Sequence, residues 1–105
     1  MRDIQPILQE LKDRLSEIYG ERLKGLYLFG SYAREEAEED SDIDVAVVLD
    51  DFSNAWQEIQ RWSRPRAAIA LKYECVPSLL PVREADLQKK DRLLVRNLRR
   101  EGVPV

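Results

Sequence analysis

Asp42 and Asp44 stand two residues apart at the opening of the apolar run Val45-Ala46-Val47-Val48-Leu49, and a Gly30-Ser31 pair precedes them with ten residues between. On a strand, residues two apart share one face about 7 Å apart, so both carboxylates can project together while Ile43, Val45 and Val47 face the other way. Carboxylates so placed suit a pair of magnesium ions, because hard cations take oxygen ligands and magnesium divides its shell among carboxylates, water and substrate phosphates. Two ions roughly 3.5–4 Å apart stabilise the attacking and leaving oxygens of an in-line displacement, the chemistry of nucleotidyl or phosphoryl transfer. Gly30 lets the backbone approach a phosphate closely, and Ser31 falls at the start of a short helix, where free N–H groups attract anions. A carboxylate on a strand otherwise made for burial is costly unless it is paired or metal-bound.

Absences narrow the chemistry. The chain has no histidine, which excludes serine–histidine triads, histidine-bearing zinc sites and imidazole acid–base catalysis. The Walker A spacing of glycine, four residues, glycine, lysine and serine or threonine does not occur, so a P-loop ATPase is excluded. With 17 basic and 20 acidic residues the balance is mildly acidic, and no basic field argues for direct nucleic-acid binding. No apolar run approaches a membrane span, nothing resembles a signal peptide, and the single cysteine, Cys75, cannot form an internal disulfide; the cytoplasm is the expected location. At 105 residues, positions 1–105 are expected to form one domain with one core.

The elements that must position the aspartates are legible from periodicity. Ile4, Ile7, Leu8, Leu11, Leu15 and Ile18 recur at three- and four-residue spacing up to Gly20, which predicts an amphipathic helix. Residues 26–29 lack polar alternation and predict a strand covered on both faces. Residues 32–39 continue as a short helix and an acidic loop; Glu35, Glu36, Glu38, Glu39 and Asp40 read as a solvated connection that would repel bare nucleotide and so favour a metal-bound form. Ser53-Asn54 starts a helix carrying Trp56, Ile59 and Trp62, tryptophans read as core or interface rather than as base-stacking platforms, and Pro65 is expected to end or restart it before a helical stretch at 67–73. Residues 75–82 read as a third strand that Pro77 and Pro81 push to a sheet edge or an irregular path. Residues 83–90 make a turn or short helix, and a last helix over about 91–100 stops at Gly102 and Pro104. Three strands alternating with helices imply an α/β (α+β) sandwich with a small mixed sheet, the aspartates at the start of its central strand.

From Gly30 to Asp44 the chain resembles the signature of the DNA polymerase beta-like nucleotidyltransferase superfamily, and its length resembles the minimal nucleotidyltransferase (MNT) branch. The leading helix, the middle helix and strand, and the ending Leu94-Val95-Arg96-Asn97-Leu98-Arg99-Arg100-Glu101-Gly102 carry the likeness over nearly the whole chain. One departure is Glu35, where the family often has glycine. The resemblance implies the minimal nucleotidyltransferase fold, two Mg2+ ions on Asp42 and Asp44, and ATP held through Gly30 and Ser31. It also implies a third carboxylate on a later strand, as ligand or base; Glu74 is the positional match, against its reading as a surface glutamate at a helix end. Arg34 either reaches a triphosphate or sits exposed. Arg92, Arg96, Arg99 and Arg100 form a basic side of the last helix, a solvated face or a dock for an acidic partner.

MNT proteins are typically antitoxins paired with HEPN-domain ribonuclease toxins. The resemblance therefore implies transfer of AMP from Mg-ATP to a hydroxyl, a tyrosine of the cognate toxin, within a hetero-oligomer, in keeping with a chain too short to build a deep acceptor pocket. The competing readings are an antitoxin that masks its toxin without catalysis, and a nucleotidyltransferase subunit acting on a small molecule.

Overall fold

The computed structural model describes residues 3–89 and 92–105. Helix α1 spans Gln5–Tyr19, with Pro6 in its first turn, where a missing N–H costs nothing, and Gly20 at φ +54° ending it. Its apolar stripe, Ile7, Leu8, Leu11, Leu15 and Tyr19, is buried. Strand β1 (Leu23–Phe29) runs into α2 (Gly30–Ala33), a single turn, and the acidic loop leads to β2 (Ile43–Leu49). Helix α3 (Ala55–Tyr73) starts where Asn54 Oδ1 accepts the Trp56 N–H at 2.9 Å. Strand β3 (Pro77–Arg83), a 3₁₀ turn (Glu84–Gln88), α4 (Leu93–Glu101) and β4 (Val103–Pro104) complete the chain. The sequence-based start of the last helix at Asp91 lies outside the described residues. No helix among the described residues is long and apolar enough to cross a membrane.

The sheet order is β3-β2-β1-β4, with β2 parallel to β3 and both other pairings antiparallel. This is a mixed α/β fold with one four-stranded mixed sheet packed by helices. Strand β2 lies inside the sheet with Ile43, Val45, Val47 and Leu49 fully buried beneath α1 and α3. Among the described residues, the opposite face, carrying Ala46, Val48 and Val82, is covered by Leu94 and Leu98 of α4 and Leu87 of the 84–88 turn. Leu26 and Leu28 are buried on the helical face, whereas Tyr27 and Phe29 on the other face are half-buried. The run 26–29 is thus fully covered on one face and partly on the other, and the uncovered part adjoins Asp44.

Two expectations are corrected. Pro65 neither ends nor restarts a helix: it sits inside an unbroken α3. Trp62 and Ile69, seven apart on one stripe, are both buried against the sheet, and that burial outweighs the roughly 3 kcal/mol that an interior proline costs. The sheet has four strands rather than three. Val103 and Pro104 pair with Leu28 and Tyr27, and Val105 N–H donates to Leu26 O at 2.9 Å. Strand β3 is regular despite its prolines because it is an edge; Pro77 O, on the outer side, accepts from Arg66 Nε at 2.6 Å, so the missing proline donors face away from β2. Trp62 is core, as expected, while Trp56 is exposed.

Asp86 joins the end of β3 to α4. Its nearly buried carboxylate meets Lys89 Nζ at 3.1 Å, Arg92 Nη1 at 3.2 Å and Arg83 Nη1 at 3.7 Å. The Lys89 hydrogen bond and the surrounding cations hold its carboxyl below the ordinary aspartate range. A carboxyl lowered on folding contributes stability that is whole above its unfolded pKa, about 4, and is lost as pH falls through its folded value. Asp86→Asn is therefore expected to cost of order 1 kcal/mol at neutral pH and to lower Tm by roughly 4–8 °C. The variant should also lose less stability than wild type between about pH 5 and pH 2, measured by thermal melting across that range.

Candidate functional site

Strand β1 ends by turning into the open face of the sheet. Gly30 adopts φ +73°, a left-handed conformation that side-chain-bearing residues avoid. A Cβ there would overlap Asp44 Oδ2 and stand 3.1 Å from Asp44 Cγ. The glycine thus brings the turn against the carboxylate. Ser31, half-buried, follows in the single turn of α2. Glu35 also has positive φ, +58°. The backbone keeps the shape that glycine would favour, held by Glu35 N–H donating to Tyr32 O at 3.3 Å and Glu36 N–H to Ser31 O at 2.9 Å. Ser41 closes the acidic loop, its Oγ accepting from Glu38 N–H at 2.8 Å and its own N–H donating to Glu38 O at 3.1 Å. Asp42 then arrives exposed, one residue ahead of β2, and Asp44 lies half-buried within it.

The antiparallel register sets Asp44 opposite Phe29, and the parallel register sets it opposite Ser78. The Asp44 side chain therefore belongs to the lightly covered face, while Ile43 and Val45 point into the main core, as the alternation of types predicts. Burial, then the neighbouring Asp42 charge, pushes the Asp44 carboxyl above its ordinary value, and the Arg34 charge partly offsets this. Two close carboxylates, one half-desolvated, are the electrostatic signature of a cation or proton site.

Arg34 is exposed and tied at both ends of its guanidinium, with Nε 3.0 Å from Glu36 Oε2 and Nη1 3.2 Å from Glu101 Oε1. Glu101 closes α4, so this pair links the segment after the Gly30 turn to the last helix, a contact with no signal in local sequence. Glu74 caps α3 in a left-handed conformation, φ +51°, exposed and three residues ahead of β3. The residue brought opposite Asp44 is Ser78, which sequence reasoning missed because strand register is not a local property. Of the six residues singled out, Gly30, Ser31, Arg34, Asp42 and Asp44 come together, and Glu74 lies at the helix end.

Among the described residues no group of three or more histidines, cysteines, aspartates or glutamates is arranged to hold a metal ion. A metal shell built at this site would draw on Asp42 and Asp44, whose charges act on one another. That donor set fits magnesium, which commonly takes one or two carboxylates and completes its shell with substrate phosphates and water.

Comparison with known proteins identifies the family and the fold. Residues 8–100 match the family described as nucleotidyltransferase domain. The chain belongs to that family of nucleotidyl-transferring enzymes. Its relatives include a putative protein adenylyltransferase of Methanocaldococcus jannaschii, 33% identical over 76 residues that cover 72% of this chain and 76% of the relative. The protein adenylyltransferase MntA of Thermococcus cleftensis is 34% identical over 76 residues, covering 72% of this chain and 75% of the relative. Among solved structures, a toxin–antitoxin with AMP-PNP has the same fold, with a TM-score of 0.66 at 24% identity over 91% of this chain and 69% of that one. A putative nucleotidyltransferase from Sulfolobus solfataricus has a TM-score of 0.60 at 19% identity, over 94% of this chain and 78% of its own.

Proposed function

We propose that this chain is a protein adenylyltransferase antitoxin that moves AMP from Mg-ATP to a tyrosine hydroxyl of a HEPN-domain ribonuclease toxin and so neutralises it. The observation that carries the proposal is the half-buried Asp44, raised by burial and by Asp42 and pressed against the Gly30 turn. The names of the relatives, protein adenylyltransferases, and the toxin–antitoxin structures that share its fold support the acceptor class. Asp42 and Asp44 would hold magnesium, which when bound neutralises phosphate charge and polarises the reacting phosphoryl group. Gly30 admits a phosphate beside the turn, and Ser31 offers its hydroxyl and N–H to phosphate oxygen. The acceptor oxygen forms a bond to the α-phosphorus, the bond from that phosphorus to the β-bridging oxygen breaks, and pyrophosphate leaves. Ser78, not a carboxylate, faces Asp44, so the acceptor proton passes to solvent or to a base on the partner.

Ser78 and the outlying Glu74 also favour the second reading, masking by complex formation alone. The two separate cleanly in one experiment. Toxin incubated with this chain and Mg-ATP, then purified away, is expected to carry the added mass of one AMP group and to remain inactive, because a bulky anion beside the ribonuclease centre opposes RNA phosphate. Full ribonuclease activity after separation, with no added mass, would establish masking and overturn transfer.

A further inference from the structure

A cavity of about 300 Å³ lies between β1, the 84–88 turn and the C-terminal end of α4, lined by Tyr27, Leu87, Gln88, Leu98, Arg99 and Gly102. Two independent links connect it to the aspartate site. Tyr27 is two residues from Phe29 on β1, opposite Ala46 where Phe29 is opposite Asp44, so cavity and carboxylate share one sheet face about one 7 Å strand step apart. On the helical side, Gly102 adjoins Glu101, whose carboxylate holds Arg34, and the Arg34 N–H donates to Gly30 O at 3.2 Å.

The lining has the chemistry of a flat, amphipathic ligand. Leu87 and Leu98 supply apolar walls, and Tyr27 supplies an aromatic face. The Tyr27 ring lies back over Gly25, where a Cβ would come 3.0 Å from ring atom Cε2, so the missing side chain lets it lie along the strand. At the rim stand the exposed Gln88 amide, able to donate and accept, and Arg99, whose Nη1 donates to Leu87 O at 3.4 Å. Apolar walls with a few convergent polar groups are the usual composition of a small-ligand site. We propose that this cavity takes the nucleobase of the nucleotide whose phosphates lie at Gly30 and Asp44, with Tyr27 under the ring and Gln88 at its polar edge. The assignment rests on the nucleotide reading of Asp42 and Asp44 and adds a base-recognition subsite to it.

Calorimetry of the full chain with ATP and with tripolyphosphate, each with magnesium, tests it. Wild type is expected to prefer ATP at least about tenfold, since stacking of one base contributes roughly 1–3 kcal/mol. Leu87→Trp, which fills the cavity, should reduce that preference to within about twofold and leave tripolyphosphate affinity near wild type; exposed Gln88→Ala should reduce it several-fold, with thermal melting confirming both folds. Equal affinity of wild type for the two ligands, or a preference surviving both substitutions, would overturn the base subsite alone. Absence of binding by either ligand, or full binding by a variant lacking both aspartates, would overturn the nucleotide site beneath it.

Discussion

Replacing both Asp42 and Asp44 with asparagine is expected to abolish magnesium-dependent ATP binding and to lower nucleotidyl transfer at least about a thousandfold, roughly 4 kcal/mol of transition-state stabilisation. Asparagine keeps the shape and an oxygen but not the charge that neutralises a divalent cation, and among the described residues no group of three or more histidines, cysteines, aspartates or glutamates is arranged to substitute. The fold should not suffer. A carboxyl whose pKa is raised on folding destabilises the native state once it is ionised, because ionisation is easier in the unfolded chain. Asp44 is raised by burial and by Asp42, so the uncharged pair should melt at the same temperature as wild type or a few degrees higher at neutral pH. Calorimetric titration of Mg-ATP together with thermal melting checks both halves. Undiminished binding removes the metal assignment, and a collapsed fold would mean that the aspartates are structural.

Gly30→Val should be nearly as damaging by a different route. The position requires φ +73° and has no space, since a Cβ would overlap Asp44 Oδ2. A β-branched residue there carries backbone strain of order 1–3 kcal/mol and must also push Asp44 aside. Transfer should fall at least about a hundredfold, the loss expected when a group critical to positioning moves by an ångström. Ser31→Ala should cost within about tenfold, because the backbone N–H groups of the same turn remain to hold phosphate. Single-turnover transfer by the two variants under saturating magnesium gives the comparison. A Gly30→Val protein as active as wild type would show that the turn is not where phosphate sits.

Departures from the family pattern sharpen these expectations. Glu35 stands where glycine is common and pays for it with φ +58°, yet the hydrogen bonds around the turn keep its path. Ser78 occupies the place opposite Asp44, and a serine hydroxyl is too weak a base to accept a proton at neutral pH unless a second group activates it. The site therefore consists of two acidic groups and a glycine turn, with a serine opposite Asp44.

Sequence alone determined what depends on residues a few positions apart. The three- and four-residue spacing from Ile4 to Ile18 produces α1, because one helical stripe must bury those side chains together. The alternation through Ile43, Asp44 and Val45 sends the carboxylate to the face away from the core, because successive strand residues point in opposite directions. Glycine, serine and the paired aspartates were legible as a candidate phosphate and metal constellation for the same reason: the proposed chemistry is carried by side-chain type and short spacing. Tertiary structure decided the rest. Pro65 stays inside α3 because burial of Trp62 and Ile69 outweighs a local penalty that sequence shows and packing does not. Val103 and Pro104 become a strand only because the β1 edge is there to pair with them. Parallel register places Ser78 and not Glu74 opposite Asp44, and α4 over the same face brings Glu101 to Arg34 and encloses the cavity beside Tyr27. These relations join residues far apart in the chain, and the free energy that selects them comes from burying whole faces together, which no short window of sequence contains.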